Sequence, residues 1–193
     1  QFVDAVATLR TGKTLGRRRV GIVADGGGHG VVASDTVIEA GLEMAVFSDA
    51  TRDAMRPLLR HNEPDNPVDL AGVDASLLWN FHGLVDVLLK APEVDAVLMS
   101  GYFGGYGAYE PVAGEVELEV AEAIARSSDE HGKPVVIQSM EEASGHATIQ
   151  RLREVDVPVF SRIEHAVAAL VWLERPPIVH VSTANPVPAV ELS

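Results

Sequence analysis

Between two apolar stretches, the segment GIVADGGGHGVVASDTVIEAG (21–41) sets four glycines within five positions, Gly26, Gly27, Gly28 and Gly30, around His29. Glycine packs nothing and loses the most backbone entropy on ordering, so such a run needs a reason. A β-like run, a glycine turn and then a helical pattern suit anion binding. Backbone N–H groups at a helix start have no intrahelical partner, the macrodipole adds roughly half a positive charge there, and glycines let the main chain approach a phosphate closely. The loop holds no lysine and lacks the Gly-Lys-Ser/Thr spacing of a P-loop. Nor does Gly26-x-Gly28 place a third Gly or Ala where a dinucleotide fingerprint has it. A tight turn that merely needs small residues is the competing reading, and both stay open on this segment alone.

Other residues bear on the same chemistry. FGGYGAYEPVAGE (103–115) is a second glycine loop, whose Gly104 and Gly105 are candidate phosphate contacts beside Gly26, Gly27, Gly28, His29 and Gly30. In NPVDLAG (66–72), Asn66 and Asp69 have side chains suited to ordering a loop through bonds to backbone. His146, in SGHAT, is the one alternative candidate for covalent phosphoryl acceptance; as a bland reading it is a surface histidine at a helix start. Asp25 ends the first apolar run and has no second acid nearby in sequence to complete a metal site. The remaining histidines show no His-x-x-x-His spacing, so no metal is expected. There is no cysteine, which removes disulfides, thiolate catalysis and thiolate metal ligands and is compatible with a cytoplasmic location.

The pattern that must position these residues alternates. RVGIVAD (19–25), LEMAVF (42–47), DAVLMSGYF (95–103), KPVVIQSM (133–140) and VPVFSR (157–162) read as strands. GVVASDTVIEAG (30–41), DATRDAMRPLLR (49–60, N-capped by Ser48), ASLLWNFHGLVDVLLK (75–90), VELEVAEAIARSSDEHG (116–132), HATIQRLREVD (146–156) and IEHAVAALVWLER (163–175) read as helices. FVDAVATLR (2–10) also has helical spacing, HNEPDNPVDLAG (61–72) reads as loop, and IVHVS (178–182) is a candidate edge strand. Strands that alternate with helices argue a parallel sheet covered on both faces. The expected fold is α/β, a flavodoxin-like three-layer sandwich with a five-stranded parallel sheet. Both glycine loops then fall at strand carboxyl ends, where such sheets bind ligands.

The chain has 193 residues, 47% apolar and 5% aromatic, with net charge −13. That charge argues against nucleic acid and anionic lipid as partners, and no apolar run is long enough to span a membrane.

Four segments in order resemble the NDP-forming acyl-CoA synthetases of the succinyl-CoA synthetase superfamily: RRVGIVADGGGHGVVASDTVIEAGLEMAVFSDATRDAMRPLL, NPVDLAG, EVDAVLMSGYFGG, and KPVVIQSM with VDVPVFSRIEHAVAAL. The resemblance covers residues 1–175 and implies a succinyl-CoA-ligase-like, flavodoxin-like domain, with 176–193 a Pro-rich tail or linker. It also implies an enzyme that interconverts acyl-CoA, ADP and phosphate with the free acid, CoA and ATP through a phosphohistidine, using ATP/ADP, Mg2+, phosphate and CoA. The glycine-rich helix start would steady the phosphoryl group.

Where the family's opening has Gly-Gly-Pro-Gly, this chain has His29 in place of the proline. The family's Ser-His-Thr-Gly phosphohistidine segment, a CoA-binding Rossmann domain and an ATP-grasp domain are not found in this sequence. The expectation is therefore one domain of a larger polypeptide, or a subunit of a homo- or hetero-oligomer, catalytically incomplete alone. Gly145-His146-Ala147 matches the phosphohistidine loop of succinyl-CoA synthetase α-subunits, which keeps His146 as the alternative. Two rivals remain: a stand-alone anion- or nucleotide-binding module without catalysis, and an FMN protein using Tyr102, Tyr106 and Tyr109, although the first loop has no Ser or Thr for a flavin phosphate.

Overall fold

The computed structural model describes residues 8–70 and 77–174. Strands β1 (Arg19–Ala24), β2 (Glu43–Met44), β3 (Val68–Asp69), β4 (Ala96–Gly101), β5 (Val135–Ser139) and β6 (Val159–Phe160) form one parallel sheet. Its helices are α1 (Gly27–Glu39), α2 (Asp49–Met55), α3 (Leu78–Lys90), α4 (Pro111–His131), α5 (Ala147–Glu154) and α6 (Ile163–Trp172). The strand order is β2-β1-β4-β5-β6, the flavodoxin-like order, with β3 also on β1.

Among the described residues the sheet therefore has six strands where five were expected. The extra one, β3, is two residues of the predicted loop 61–72. It pairs Val68 and Asp69 with Val23 and Ala24, while β2 pairs Glu43 and Met44 with Arg19 and Val20. β2 and β3 thus share one edge of β1, one after the other. The gap between them is closed by the Asn66 side chain. Its Oδ1 accepts from the Ile22 amide at 2.9 Å, and its Nδ2 donates to the carbonyls of Val20 at 2.8 Å and Ala45 at 3.0 Å. A carboxamide is chemically a peptide group, so this side chain stands in for a missing strand residue. The peptide after it, Asn66–Pro67, is cis.

Each central strand alternates between two cores. Val20, Ile22, Ala96, Leu98, Val136 and Phe160 pack with Ala33 and Val37 of α1 and with Ala166, Val167 and Leu170 of α6. Val23, Val97, Met99, Val135, Ile137 and Val159 face α2 to α5, where Leu78, Phe81, Leu84, Leu88, Val120, Ala121, Ile124 and Leu152 are buried. Each fully buried side chain of that size contributes ~2 kcal/mol by removing apolar surface from water. Ser127 of α4 donates its hydroxyl to Asp86 Oδ1 of α3 at 3.1 Å.

Helix ends follow local chemistry. Ser48 Oγ accepts from the Thr51 amide at the start of α2, which passes into a single 3-10 turn, Arg56–Leu58, at Pro57. Gly132 ends α4 with φ +62. α4 begins five residues before the predicted position, because Pro111 serves as a helix-starting residue instead of a breaker. The predicted segment 2–10 lies largely, and the edge strand 178–182 and the tail 176–193 wholly, outside the described residues. No helix among the described residues is long and apolar enough to cross a membrane.

Candidate functional site

The first glycine loop turns directly into helix. Gly27, Gly28, His29 and Gly30, expected as a turn before a helix from 30, form the first turn of α1, with Gly26 as its N-cap at φ 113, ψ 141. Few residues other than glycine tolerate that backbone. The His29 and Gly30 amides both donate to the Gly26 carbonyl, at 3.1 and 3.2 Å. The Gly26 amide donates to Asp69 Oδ1 at 3.1 Å. The amides of Gly27 and Gly28 have no partner among the described residues; both residues are exposed, and nothing stands within 4 Å of a Cβ built on Gly28. Gly30 is buried, and a Cβ there would crowd Pro67 at 3.1 Å, so its lack of a side chain lets α1 sit against the NPVD segment. His29 is half-buried, beside the turn.

Asp69 is brought to this turn by β3. Its position beside Ala24 in the ladder carries its carboxylate past the end of β1, to the Gly26 amide and within 3.3 Å of a Cβ built on Gly27.

The second loop is built differently. Gly104 and Gly105, expected as phosphate contacts, are both buried, and their amides are committed within the fold. The Gly104 amide donates to Glu117 Oε1 at 2.5 Å, and that of Gly105 to the Tyr102 carbonyl at 3.0 Å. The acceptor Glu117 comes from α4, is 1% exposed, and also takes the Thr148 hydroxyl at 3.3 Å and, more distantly, the Tyr106 amide at 3.5 Å. A carboxyl group of the chain's own thus lies in this concavity, where phosphate contacts were expected. In sequence Glu117 reads as one polar residue of an amphipathic helix, and nothing local reveals its burial.

Burial drives the Glu117 pKa up, and the amides of Gly104, Tyr106 and Gly107 with the Thr148 hydroxyl offset this only in part. A carboxyl whose folded pKa exceeds its unfolded value favours folding most where it is protonated in both states. That contribution is lost as pH rises from the unfolded carboxyl value, ~4.3, through the raised folded one. Glu117→Gln keeps the shape and an acceptor for Gly104. Thermal melts from pH 4 to 8 are expected to show the variant at least as stable as the parent at pH 8, losing that advantage toward pH 4. A variant equally destabilised at every pH would contradict the account.

The tyrosines of the second loop pack on one another. Tyr102 and Tyr106 meet edge to face at 5.4 Å, Tyr102 and Tyr109 at 5.9 Å, and the Tyr106 hydroxyl donates to Asp25 Oδ2 at 2.5 Å. His146 is the N-cap residue of α5. Its Nε2 lies 3.6 Å from Glu141 Oε2 and its amide donates to Ser144 Oγ, both on the β5–α5 loop. Among the described residues, no group of three or more His, Asp or Glu is placed to hold a metal ion.

The β1 and β4 ends, where the strand order reverses, bring the amides of Gly27 and Gly28, unpartnered among the described residues, between Asp25 and Asp69. Comparison with known proteins agrees with this architecture. The chain is 27% identical over 154 residues to the α-subunit of the ADP-forming acetate–CoA ligase II of Pyrococcus furiosus, covering 78% of this chain and 32% of that one. It is 27% identical over 151 residues to the α-subunit of ligase I from the same organism, covering 77% and 30%. It spans about a third of the length of these curated relatives. Its fold matches the crystal structure of PH0766 from Pyrococcus horikoshii OT3, with a TM-score of 0.66, 23% identity, and 89% and 39% of the two chains covered. It also matches the dinucleotide-forming acetyl-coenzyme A synthetase 1 of Ca. Korarchaeum cryptofilum in complex with phosphate and ADP, with a TM-score of 0.63, 21% identity, and 88% and 35% covered. A family model of the Ligase-CoA domain matches residues 20–174, and the chain belongs to that family.

Proposed function

We propose that this chain is a domain of an NDP-forming acyl-CoA synthetase, an acid–thiol ligase that converts acyl-CoA, ADP and phosphate to the free acid, CoA and ATP through a phosphohistidine. Its own part is to present the amino terminus of α1 to the phosphoryl group. The observation that carries this reading is the pair of amides of exposed Gly27 and Gly28, without a partner among the described residues, heading a thirteen-residue helix at the sheet's switch point. Such donors stabilise phosphoryl oxygens by position alone, with no reorganisation during transfer.

The Asp69 carboxylate takes the Gly26 amide and lies within 3.3 Å of a Cβ built on Gly27, so the phosphoryl group approaches a turn already braced from one side. A phosphoryl group delivered covalently on a histidine needs no affinity of its own, which fits a domain served by others. CoA-binding and ATP-grasp domains or subunits would supply the remaining chemistry, with ATP/ADP, Mg2+ and CoA held there, in the cytoplasm. His146 stays the alternative acceptor within this chain. Gly26, His29 and Gly30 frame the two donors, Gly27 and Gly28, and Gly27 is the point to perturb.

The test uses the intact synthetase with γ-labelled ATP. It should form an acid-labile phosphohistidine at a residue other than His146. Gly27→Asp places a second carboxylate beside Asp69 and should slow transfer about a hundredfold to a thousandfold, the range for loss of a positioned donor, with the melting temperature little changed. Normal transfer in a well-folded variant would overturn the reading.

A further inference from the structure

The turn that aims the Gly27 and Gly28 amides is held from two sides. One arm is Asp69, which takes the Gly26 amide. The other arises 81 residues beyond Asp25, on the β4–α4 loop. Tyr106 donates its hydroxyl to Asp25 Oδ2 at 2.5 Å, and Asp25 immediately precedes the N-cap glycine. We infer that Tyr106 is a positioning residue for the α1 amino terminus, holding Asp25 and through it the Gly26 turn; as a role in phosphoryl transfer this rests on the reading given under Proposed function.

Three features make the arm rigid. Asp25 is seated on the end of β4: its amide donates to the Ser100 carbonyl at 2.9 Å, and a Cβ built on Gly101 would fall 2.6 Å from Asp25 Cβ. The phenol ring is clamped edge to face by Tyr102 at 5.4 Å and lies 6.3 Å from Phe81, itself fully buried. The Tyr106 backbone is anchored in turn, because the Tyr106 and Gly104 amides point at buried Glu117, which also takes Thr148 of α5. A continuous path of contacts therefore crosses the carboxyl edge of the sheet from α5 through α4 to the start of α1. A neutral donor suits this place. It fixes the Asp25 carboxylate without a cation that would compete for phosphoryl oxygens. Burial, together with the bond to Asp25, raises the phenol pKa, so the hydroxyl keeps its proton at neutral pH.

The experiment removes one oxygen atom. In the intact protein, Tyr106→Phe should speed hydrogen exchange of the peptide carrying Gly26–Gly30 by about tenfold, through easier local opening, while the peptide carrying Gly104–Gly107 keeps its protection under Glu117. Asp25→Ala should match it, and the double variant should be no worse than either single, the signature of two residues acting as one contact. Asp25→Asn, which retains an acceptor oxygen, should restore most of the protection. In the synthetase, Tyr106→Phe should lower kcat for phosphoryl transfer with KM for nucleotide unchanged. Unchanged exchange at Gly26–Gly30, or additive effects of the two single variants, overturns the positioning role. Faster exchange with normal phosphorylation leaves Tyr106 a positioning residue for the turn and instead overturns the phosphoryl reading.

Discussion

Asn66→Ala is expected to lower the melting temperature by roughly 5–15 °C, although the residue lies in a segment that reads as loop. The side chain makes three hydrogen bonds to backbone, to the Ile22 amide and to the carbonyls of Val20 and Ala45. Val20 and Ile22 are fully buried in the first strand, so water does not replace the lost partners. A buried backbone group left unpaired costs about 1–3 kcal/mol. The Val20 carbonyl keeps the Ala45 amide as a second partner, which limits the loss there. The net expectation is about 2–4 kcal/mol, converted at 2–4 °C per kcal/mol for a chain of this size. Asn66→Asp separates hydrogen bonding from volume. It keeps the acceptor for Ile22 but turns a carboxylate on two carbonyls, so it should be no better than alanine. If both variants melt with the parent, Asn66 does not bridge β2 and β3.

The same segment shows what the sequence could and could not reveal. Alternating apolar runs and helical spacing were enough for the doubly covered parallel sheet, because each of the longer strands carries its own burial pattern. β3 carries none: two residues cannot display a period, and they sit among prolines and turn formers. Asn66 and Asp69 stood out as residues that order backbone, but their partners in β1 lie more than forty residues away, and only the ladder between β1 and β3 brings them together. The first glycine loop was legible because a strand, glycines and a helix follow in sequence. The second has the same outward signature, yet a glutamate thirteen residues on fills it. Tyr106 gave no local sign of its bond to Asp25. Aromatic residues beside a glycine loop suggested ring stacking on a flavin, whereas the three rings pack on one another and the Tyr106 hydroxyl is taken by Asp25.

Gly101→Ala is the substitution expected to damage the domain most, and a second glycine shows why. Gly101 has φ +144, and Gly132 at the end of α4 has φ +62. Both lie where side chains are unfavourable. Nothing stands within 4 Å of a Cβ at Gly132, so alanine there meets only the backbone preference, about 1 kcal/mol. At Gly101 the new carbon would lie 2.6 Å from Asp25 Cβ and 3.3 Å from the Asp25 Cα and amide nitrogen. These are not the far end of a flexible side chain. The end of β1 must move, which strains the Asp25–Ser100 hydrogen bond, the Tyr106–Asp25 contact and the Gly26 turn together. Strained backbone and overpacking each cost about 1–3 kcal/mol, so the sum is expected near 3–5 kcal/mol, several times the cost at Gly132. Urea unfolding of the two variants side by side measures the difference. Equal midpoints would mean that β1 and β4 do not approach as closely as drawn, and the buttress on the amino terminus of α1 would go with them.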